Sequence, residues 1–150
     1  PDNISSNSSS VALYHTTHSN FNTKIINISG KTKEYFMLEN IGHDGYQAGL
    51  DYLIGGNDNT SGIAIWHIDE NQSGNSDYSH KLVDLEEAAD AGLDLGAHNG
   101  KQTSLFFSGN KTEFSNSTNP NSKTYSGTSS GITINNISAA GDSMTFDVSF

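Results

Sequence analysis

Arginine and cysteine are both missing from this chain of 150 residues, and lysine is scarce. Seven lysines stand against seventeen acidic side chains, so the formal net charge is −10. Proteins that bind nucleic acid or anionic lipid electrostatically need clustered Lys and Arg, so the composition argues against both partners. Without cysteine, the chain has neither a disulfide framework nor a thiolate metal site.

Long apolar runs are lacking as well. No stretch approaches the roughly 18 residues of a membrane-spanning helix, so we expect no membrane insertion. The chain starts at Pro1 without a methionine and ends at Phe150 inside strand-like alternation, so we interpret it as a piece of a longer protein. Its length fits one domain, and its acidic balance leaves carboxylates available for hard cations such as calcium.

Short β-branched and aromatic runs, separated by Gly, Asn and Ser clusters, predict an all-β protein. We expect residues 1–10 to form a linker or disordered lead-in. Residues 11–150 then form one β-sandwich-like domain of about eight mostly antiparallel strands, with two long loops at 41–61 and 70–80. The predicted strands are Val11–His15, Thr23–Ser29, Glu34–Glu39, Gly62–Asp69, Lys81–Glu86, Thr103–Phe107, Gly131–Ile137 and Ser143–Phe150.

Two of these strands are apolar on both faces, which is typical of a strand inside a sheet or between layers. In Gly62–Asp69, Ile63 and Ile65 face one side while Trp66 faces the other. We therefore expect this strand and Glu34–Glu39 to be central, and Trp66 to be buried between layers. His67 shares the side of Ile63, which predicts a hydrogen-bonded core or interface histidine.

Catalytic motifs are also missing. The chain has no His-Glu-X-X-His zinc spacing and no Gly-X-Ser-X-Gly nucleophile turn. We therefore expect no zinc site and no enzymatic activity in this chain alone. His15 and His18 are three positions apart at a strand end, whereas a helical zinc site needs a spacing of four with a Glu between them, so we interpret both as surface residues.

Acidic residues are concentrated between positions 69 and 94, where they are candidate calcium ligands. The candidates are Asp69, Glu86, Glu87, Asp90 and Asp94. Asp69 ends an otherwise buried strand and needs a partner there, either a hydrogen-bond donor or an ion. We expect hydrogen bonding ahead of calcium, and a solvated acidic rim stays open as an alternative.

Five segments in order carry a family resemblance. They read Glu34-Tyr-Phe-Met-Leu-Glu-Asn40, Gly62-Ile-Ala-Ile-Trp-His-Ile-Asp-Glu70, Lys81-Leu-Val-Asp-Leu-Glu-Glu-Ala-Ala-Asp90, Ser130-Gly-Ile-Thr-Ile-Asn-Asn-Ile-Ser138 and Gly141-Asp-Ser-Met-Thr-Phe-Asp-Val148. This order resembles the region after the catalytic domain in immune-inhibitor-A-like (M6 family) secreted bacterial zinc metalloproteases. The resemblance implies a secreted β-sandwich-like domain packed against an upstream protease domain of the same polypeptide.

The family's catalytic residues lie upstream of the resembling region, so none is carried over to this chain. The matching positions are Glu39, Asn40, Trp66, His67 and Asp69. The chain departs from the family in two places. Where family members read "EADG", this chain has the interrupted version Glu87-Ala-Ala-Asp90-Ala-Gly92, and its segment Gly100–Gly109 lacks the acids that relatives carry. If those acids bind calcium in relatives, part of the site is lost here.

The resemblance thus predicts a non-catalytic accessory domain that stabilises the protease or positions its substrate. The alternative is a free-standing extracellular module that binds carbohydrate or a surface. Its stacking platform would come from Trp66, Tyr35, Tyr46, Tyr52 and Tyr78.

Overall fold

The computed structural model describes residues 1–15, 17–42, 61–89, 92–93 and 100–150. Within this part the chain forms two mostly antiparallel sheets, which confirms the predicted all-β, β-sandwich-like fold. The strands are β1 (Asp2–Ile4), β2 (Ser8–Tyr14), β3 (Lys24–Asn27), β4 (Glu34–Ile41), β5 (Gly62–Asp69), β6 (Val83–Leu85), β7 (Thr133–Asn135) and β8 (Ser143–Ser149). No helix in the described ranges is long and apolar enough to cross a membrane.

The larger sheet has the strand order β1-β3-β4-β5-β6, and the smaller sheet has the order β2-β8-β7. β1 runs parallel to β3, whereas the other strand pairs are antiparallel. β4 and β5 both lie inside the larger sheet, as their apolar faces predict. β7 and β8 pair as the predicted hairpin.

The hydrophobic core lies between the two sheets. Along β4, alternate residues are buried, so Phe36 and Leu38 face the core while Tyr35 and Met37 lie on the outer face. Along β8, the predicted alternation places Met144, Phe146 and Val148 in the core. The other core side chains include Leu13, Ile26, Ile63, Ile65, Phe106, Phe114, Ile132 and Ile134.

Residues 1–10 differ from the predicted linker. They contain β1 and the first residues of β2, and Ile4 packs in the core. The polar composition of this segment gives no sign of its two contacts with β8. Ser8 pairs with Val148, and the Ser10 amide donates to Asp147 Oδ1 at 2.7 Å. The segment is therefore part of the domain.

The strand predicted at Thr103–Phe107 is also wrong. A short 3₁₀ turn occupies Gln102–Ser104, where the Ser104 amide donates to the Lys101 carbonyl at 2.9 Å. Only Phe106 pairs with the sheet, through two 2.9 Å hydrogen bonds with Ile63. The buried phenyl ring fixes this one contact, and the polar residues before it turn instead of extending.

Trp66 is half-buried rather than enclosed between layers. The core-facing positions of β5 are Ile63, Ile65 and His67, so Trp66 lies on the outer face of the larger sheet, opposite Leu85 of β6. Of the two long loops, 70–80 connects β5 to β6, whereas most of 41–61 lies outside the described residues.

Phe114 provides a test of the core. Its ring is fully buried and packs edge-on against Phe36 and Phe106, with centroid distances of 5.2 and 5.9 Å. We expect Phe114→Ala to lower the free energy of unfolding by about 3–5 kcal/mol, measured by urea denaturation. The control Phe21→Ala removes a ring that is 44% exposed and should change stability by only about 0.5 kcal/mol. Equal unfolding midpoints for the two variants would contradict this assignment of the core.

Candidate functional site

One end of the layer between the sheets is polar. The strand register sets Glu34 of β4 opposite Asp69 of β5, and His67 of β5 opposite Asp84 of β6. Because directly opposed residues project to the same side of a sheet, all four side chains share the core-facing side with Phe36. The apolar core therefore ends in a row of titratable groups.

His67 lies at the centre of this polar end and is only 3% exposed. Its Nε2 atom is 3.2 Å from Glu34 Oε1, and its Nδ1 atom is 3.1 Å from Glu86 Oε1. Glu34 is also buried: its Oε1 accepts the Tyr125 amide at 2.7 Å, and its Oε2 is 3.3 Å from Lys31 Nζ. We call these three side chains the Glu34–His67–Glu86 unit. The prediction of a hydrogen-bonded core histidine is confirmed.

Tyr125 extends the network through its aromatic ring. The ring stacks between the imidazoles of His67 and His80, with a centroid distance of 4.2 Å to each. Burial raises the pKa of the Tyr125 hydroxyl, and the nearby carboxylates of Asp84, Glu86 and Asp69 raise it further. The phenol therefore stays neutral and serves as a packing element between two histidines.

Asp69 has the donors that its buried position demands. Its Oδ1 accepts the backbone and side-chain N–H groups of Asn71 at 3.0 and 2.7 Å, and its Oδ2 is 2.7 Å from His80 Nε2. Burial alone raises the pKa of Asp69, but these hydrogen bonds together outweigh it and lower the pKa below its ordinary value. Hydrogen bonding at Asp69 is thus confirmed.

A cavity of about 240 Å³ opens beside the stack. Its wall includes Lys31, Glu34, Asp69, His80 and Tyr125. The carboxylates and the His80 imidazole in this wall already bond to one another or to nearby protein groups. The cavity is large enough to hold several water molecules.

Each of the calcium-ligand candidates that the structure describes contacts a different protein group. Asp69 bonds to Asn71 and His80, Glu86 contacts His67, and Glu87 Oε1 accepts the Leu93 amide at 2.9 Å. Asp90 and Asp94 lie outside the described residues. Among the residues that the structure does describe, no group of three or more His, Asp or Glu side chains is placed to hold a metal ion. Calcium binding stays a prediction.

The remaining positions that match the family segments also have defined contacts. Asn40 is fully buried, and its side-chain amide donates to the carbonyls of Leu13 at 3.2 Å and Gly141 at 2.9 Å. These bonds tie β4 to β2 and to the β7–β8 connection. On the outer face, burial raises the pKa of Glu39, and the Trp66 indole N–H partly offsets the rise.

His15 is not the surface residue that the sequence predicts. It is 2% exposed, its Nδ1 accepts the Thr17 amide at 3.2 Å, and its Nε2 is 3.2 Å from Asp142 Oδ1. A Cβ atom at Gly42 would lie 2.9 Å from the His15 ring, so glycine is needed there for the close approach. His18 is half-buried and stacks on Tyr14.

Sequence reasoning missed two members of the polar end, Tyr125 and His80. Both come from loop segments without periodicity, so no pattern pointed to them. The position of Glu34 did carry a signal, because it shares the strand parity of Phe36 and Leu38. A charged residue on an otherwise apolar strand face predicts a bonded partner across the layer.

Comparison of the chain with protein-family models, with curated proteins and with solved structures finds no match. The geometry shows strand residues whose polar atoms bond to other elements of the same domain, at His67, Asp69 and Asn40.

Asp69 should support the fold against acid. Its pKa is lowered in the folded protein, so its contribution is present above the unfolded value of about 3.9 and is lost as the pH falls through the folded value. We expect the melting temperature of Asp69→Asn to fall less than that of the wild type between pH 5 and pH 2.5. Glu113→Gln, at an exposed position, should follow the wild type. If the melting temperatures of all three proteins fall in parallel as the pH is lowered, Asp69 does not support the fold against acid.

Calcium is tested by melting curves of metal-stripped protein in millimolar calcium and in EDTA. A cation that binds only the folded state stabilises it by about 2.7 kcal/mol at one hundred times its dissociation constant. The candidate ligands predict a higher melting temperature in calcium, and Asp69→Asn should abolish the rise. Superimposable melting curves in calcium and in EDTA would show that hydrogen bonds and water, and not calcium, satisfy these carboxylates.

Proposed function

We propose that this domain is a non-catalytic accessory domain of a secreted M6-like zinc metalloprotease, acting on an upstream protease domain of the same polypeptide. The observation that carries the proposal is the structural use of the residues that match the family segments. His67, Asp69 and Asn40 each bond to a different part of the domain. Such residues stabilise the fold of the domain itself, as expected of an accessory domain that takes no part in the chemistry.

The polar groups at the candidate site support this interpretation chemically. A catalytic base or nucleophile acts on a substrate within hydrogen-bond reach. Here the Asp69 oxygens face Asn71 and His80, and the Glu34 oxygens face His67, the Tyr125 amide and Lys31. In the proposed protein, proteolysis belongs to the upstream domain, and this domain supplies stability or shapes the approach of the substrate.

The alternative, a free-standing carbohydrate or adhesion module, has less support. Of its proposed platform residues, Tyr78 is 73% exposed, whereas Tyr35 and Trp66 are half-buried. Tyr46 and Tyr52 lie outside the described residues. Retention of the isolated chain in polysaccharide-containing native gels, abolished by Tyr78→Ala, would favour this alternative over the accessory role.

The accessory role is tested on a polypeptide that joins an M6-like catalytic domain to this chain. We expect its half-life of casein hydrolysis at elevated temperature to exceed that of the catalytic domain alone, because a packed neighbour stabilises the folded state. The isolated chain should not hydrolyse casein. Equal half-lives with and without the chain would overturn the proposal.

A pair of matched variants tests whether the domain must be folded, and not only attached, to stabilise the joined protease. Phe114→Ala weakens the core of the domain and should shorten the half-life of the joined protease, because an unfolded neighbour cannot pack. Phe21→Ala changes an exposed ring and should leave the half-life unchanged. If both variants behave like the wild type, the folded domain does not stabilise the protease.

A further inference from the structure

The larger sheet is apolar on its outer face as well as on the face that lines the core. Directly opposed residues of neighbouring strands project to the same side of a sheet. The register sets Ile25 of β3 opposite Met37 of β4, and Met37 opposite Trp66 of β5. Trp66 is in turn opposite Leu85 of β6, so four adjacent strands contribute an apolar side chain to one continuous row. A sheet face that meets only water normally carries polar side chains at such positions.

A second apolar row lies beside the first on the same face. Tyr35 of β4 is opposite Ile68 of β5, and Ile68 is opposite Val83 of β6. Ile68 is buried, whereas the other six side chains of the two rows are half-buried and so keep part of their surface accessible. None of the described strands covers this face, because β2, β7 and β8 pack on the opposite side, across the hydrophobic core. Contiguous apolar surface of this kind marks an interaction site.

Glu39 is the one charged side chain that the described strands place on this face. It lies next to Met37 on the same side of β4. Burial raises the pKa of the Glu39 carboxyl because its charged form has lost part of its water, and the Trp66 indole N–H offsets only part of the rise. Lys24, the one lysine in the described strands, faces the other side of the sheet and pairs with Asp2 at 2.7 Å. The outer face therefore presents a partly desolvated carboxylate that no strand lysine neutralises.

These features define the chemistry of a partner. Aromatic residues and Met are enriched at protein interfaces, and the apolar rows require apolar side chains opposite them. A carboxylate that loses its remaining water on docking requires a cation, and an arginine or lysine donates charge-assisted hydrogen bonds to it. A second copy of this chain is a poor partner, because it has no arginine and carries a net charge of −10, so two copies repel each other. The fitting partner is a different protein surface with a basic group inside an apolar patch.

We propose that the outer face of the larger sheet docks onto a neighbouring protein domain whose apolar side chains surround an arginine or lysine, and that this cation pairs with Glu39. In the proposed accessory role, on which this identification of the partner rests, the neighbour is the upstream protease domain. Docking removes the apolar surface of Met37 and Trp66 from water and replaces the remaining water at Glu39 with a charged donor.

Oxidation by hydrogen peroxide tests the proposal, because the chain has two methionines in different environments. Met37 is half-buried on the outer face, whereas Met144 is fully buried in the core. Peroxide converts an accessible thioether to the sulfoxide, and peptide mass spectrometry locates the added oxygen. In the isolated chain, we expect Met37 to oxidise and Met144 to resist. In a proteolytically inactive polypeptide that joins an M6-like catalytic domain to this chain, Met37 should oxidise about tenfold more slowly, since a face docked about nine-tenths of the time reacts only through its open fraction.

Equal rates of Met37 oxidation in the isolated and joined proteins would overturn the proposal, because the catalytic domain would then leave the outer face open. Resistance of Met37 in the isolated chain equal to that of Met144 would also overturn it, since the face would already be covered. The half-life of casein hydrolysis separates this proposal from the accessory role. A protected Met37 with an unchanged half-life supports docking and overturns the stabilising role. A longer half-life with an unprotected Met37 keeps the accessory role and overturns the docking face.

Glu39→Gln tests the cation, with Glu113→Gln as the matched control at an exposed position. A hydrogen bond between charged groups contributes about tenfold to a docking equilibrium, so Glu39→Gln should raise Met37 oxidation in the joined polypeptide to about half the rate in the isolated chain. Glu113→Gln should keep the wild-type protection. Met144 reports on folding in each variant, because only an unfolded domain exposes it. Full protection of Met37 in Glu39→Gln would overturn the pairing of Glu39 with a cation of the partner.

Discussion

Carboxylates placed between two packed sheets must find donors, and this requirement shapes one whole end of the domain. Burying an unpaired carboxylate costs far more than a single packing contact contributes, so each buried acid has to draw donors towards it. Glu34 engages a histidine, a lysine and a backbone amide, and Asp69 engages Asn71 and His80. The loops that contribute Tyr125 and His80 are therefore positioned by the acids of the central strands.

β4 shows how polar and apolar contacts divide the work of holding the sheets together. Its core-facing side begins at Glu34, continues through Phe36 and Leu38, and ends at Asn40. The two apolar residues give burial without direction, because the hydrophobic effect is nearly indifferent to orientation. The two polar residues bond to specific atoms across the layer, Glu34 to the Tyr125 amide and Asn40 to the Leu13 carbonyl. The Asn40 bond specifies how one sheet lies on the other, and the Glu34 bond fixes the Tyr125 loop against the larger sheet.

The sequence predicted the interior strands well because their signal is local. β5 matches its predicted bounds, and β8 shows the alternation that its residues indicate. The sequence-based predictions failed where the structure of a segment depends on partners that are distant in the chain. Ser10 is held by Asp147, and His15 is enclosed beside Gly42. The candidate site follows the same division. Strand parity identified His67, and the position at the end of a buried strand identified Asp69, whereas Tyr125 enters from a loop whose Ser- and Gly-rich sequence has no period.

The described edges of the two sheets are poorly suited to pairing with another strand. β1, β6 and β7 are edge strands of three residues each, and β2, the longer edge, has an irregular register between Ser8 and Val11. At β6, the Asn75 side chain bonds to both the amide and the carbonyl of Val83, at 3.0 and 2.9 Å, and so replaces a further strand. Short, irregular or capped edges give another chain little backbone to pair with. In the proposed accessory role, contact with a protease domain would therefore use side chains on the sheet faces or loops rather than these strand edges.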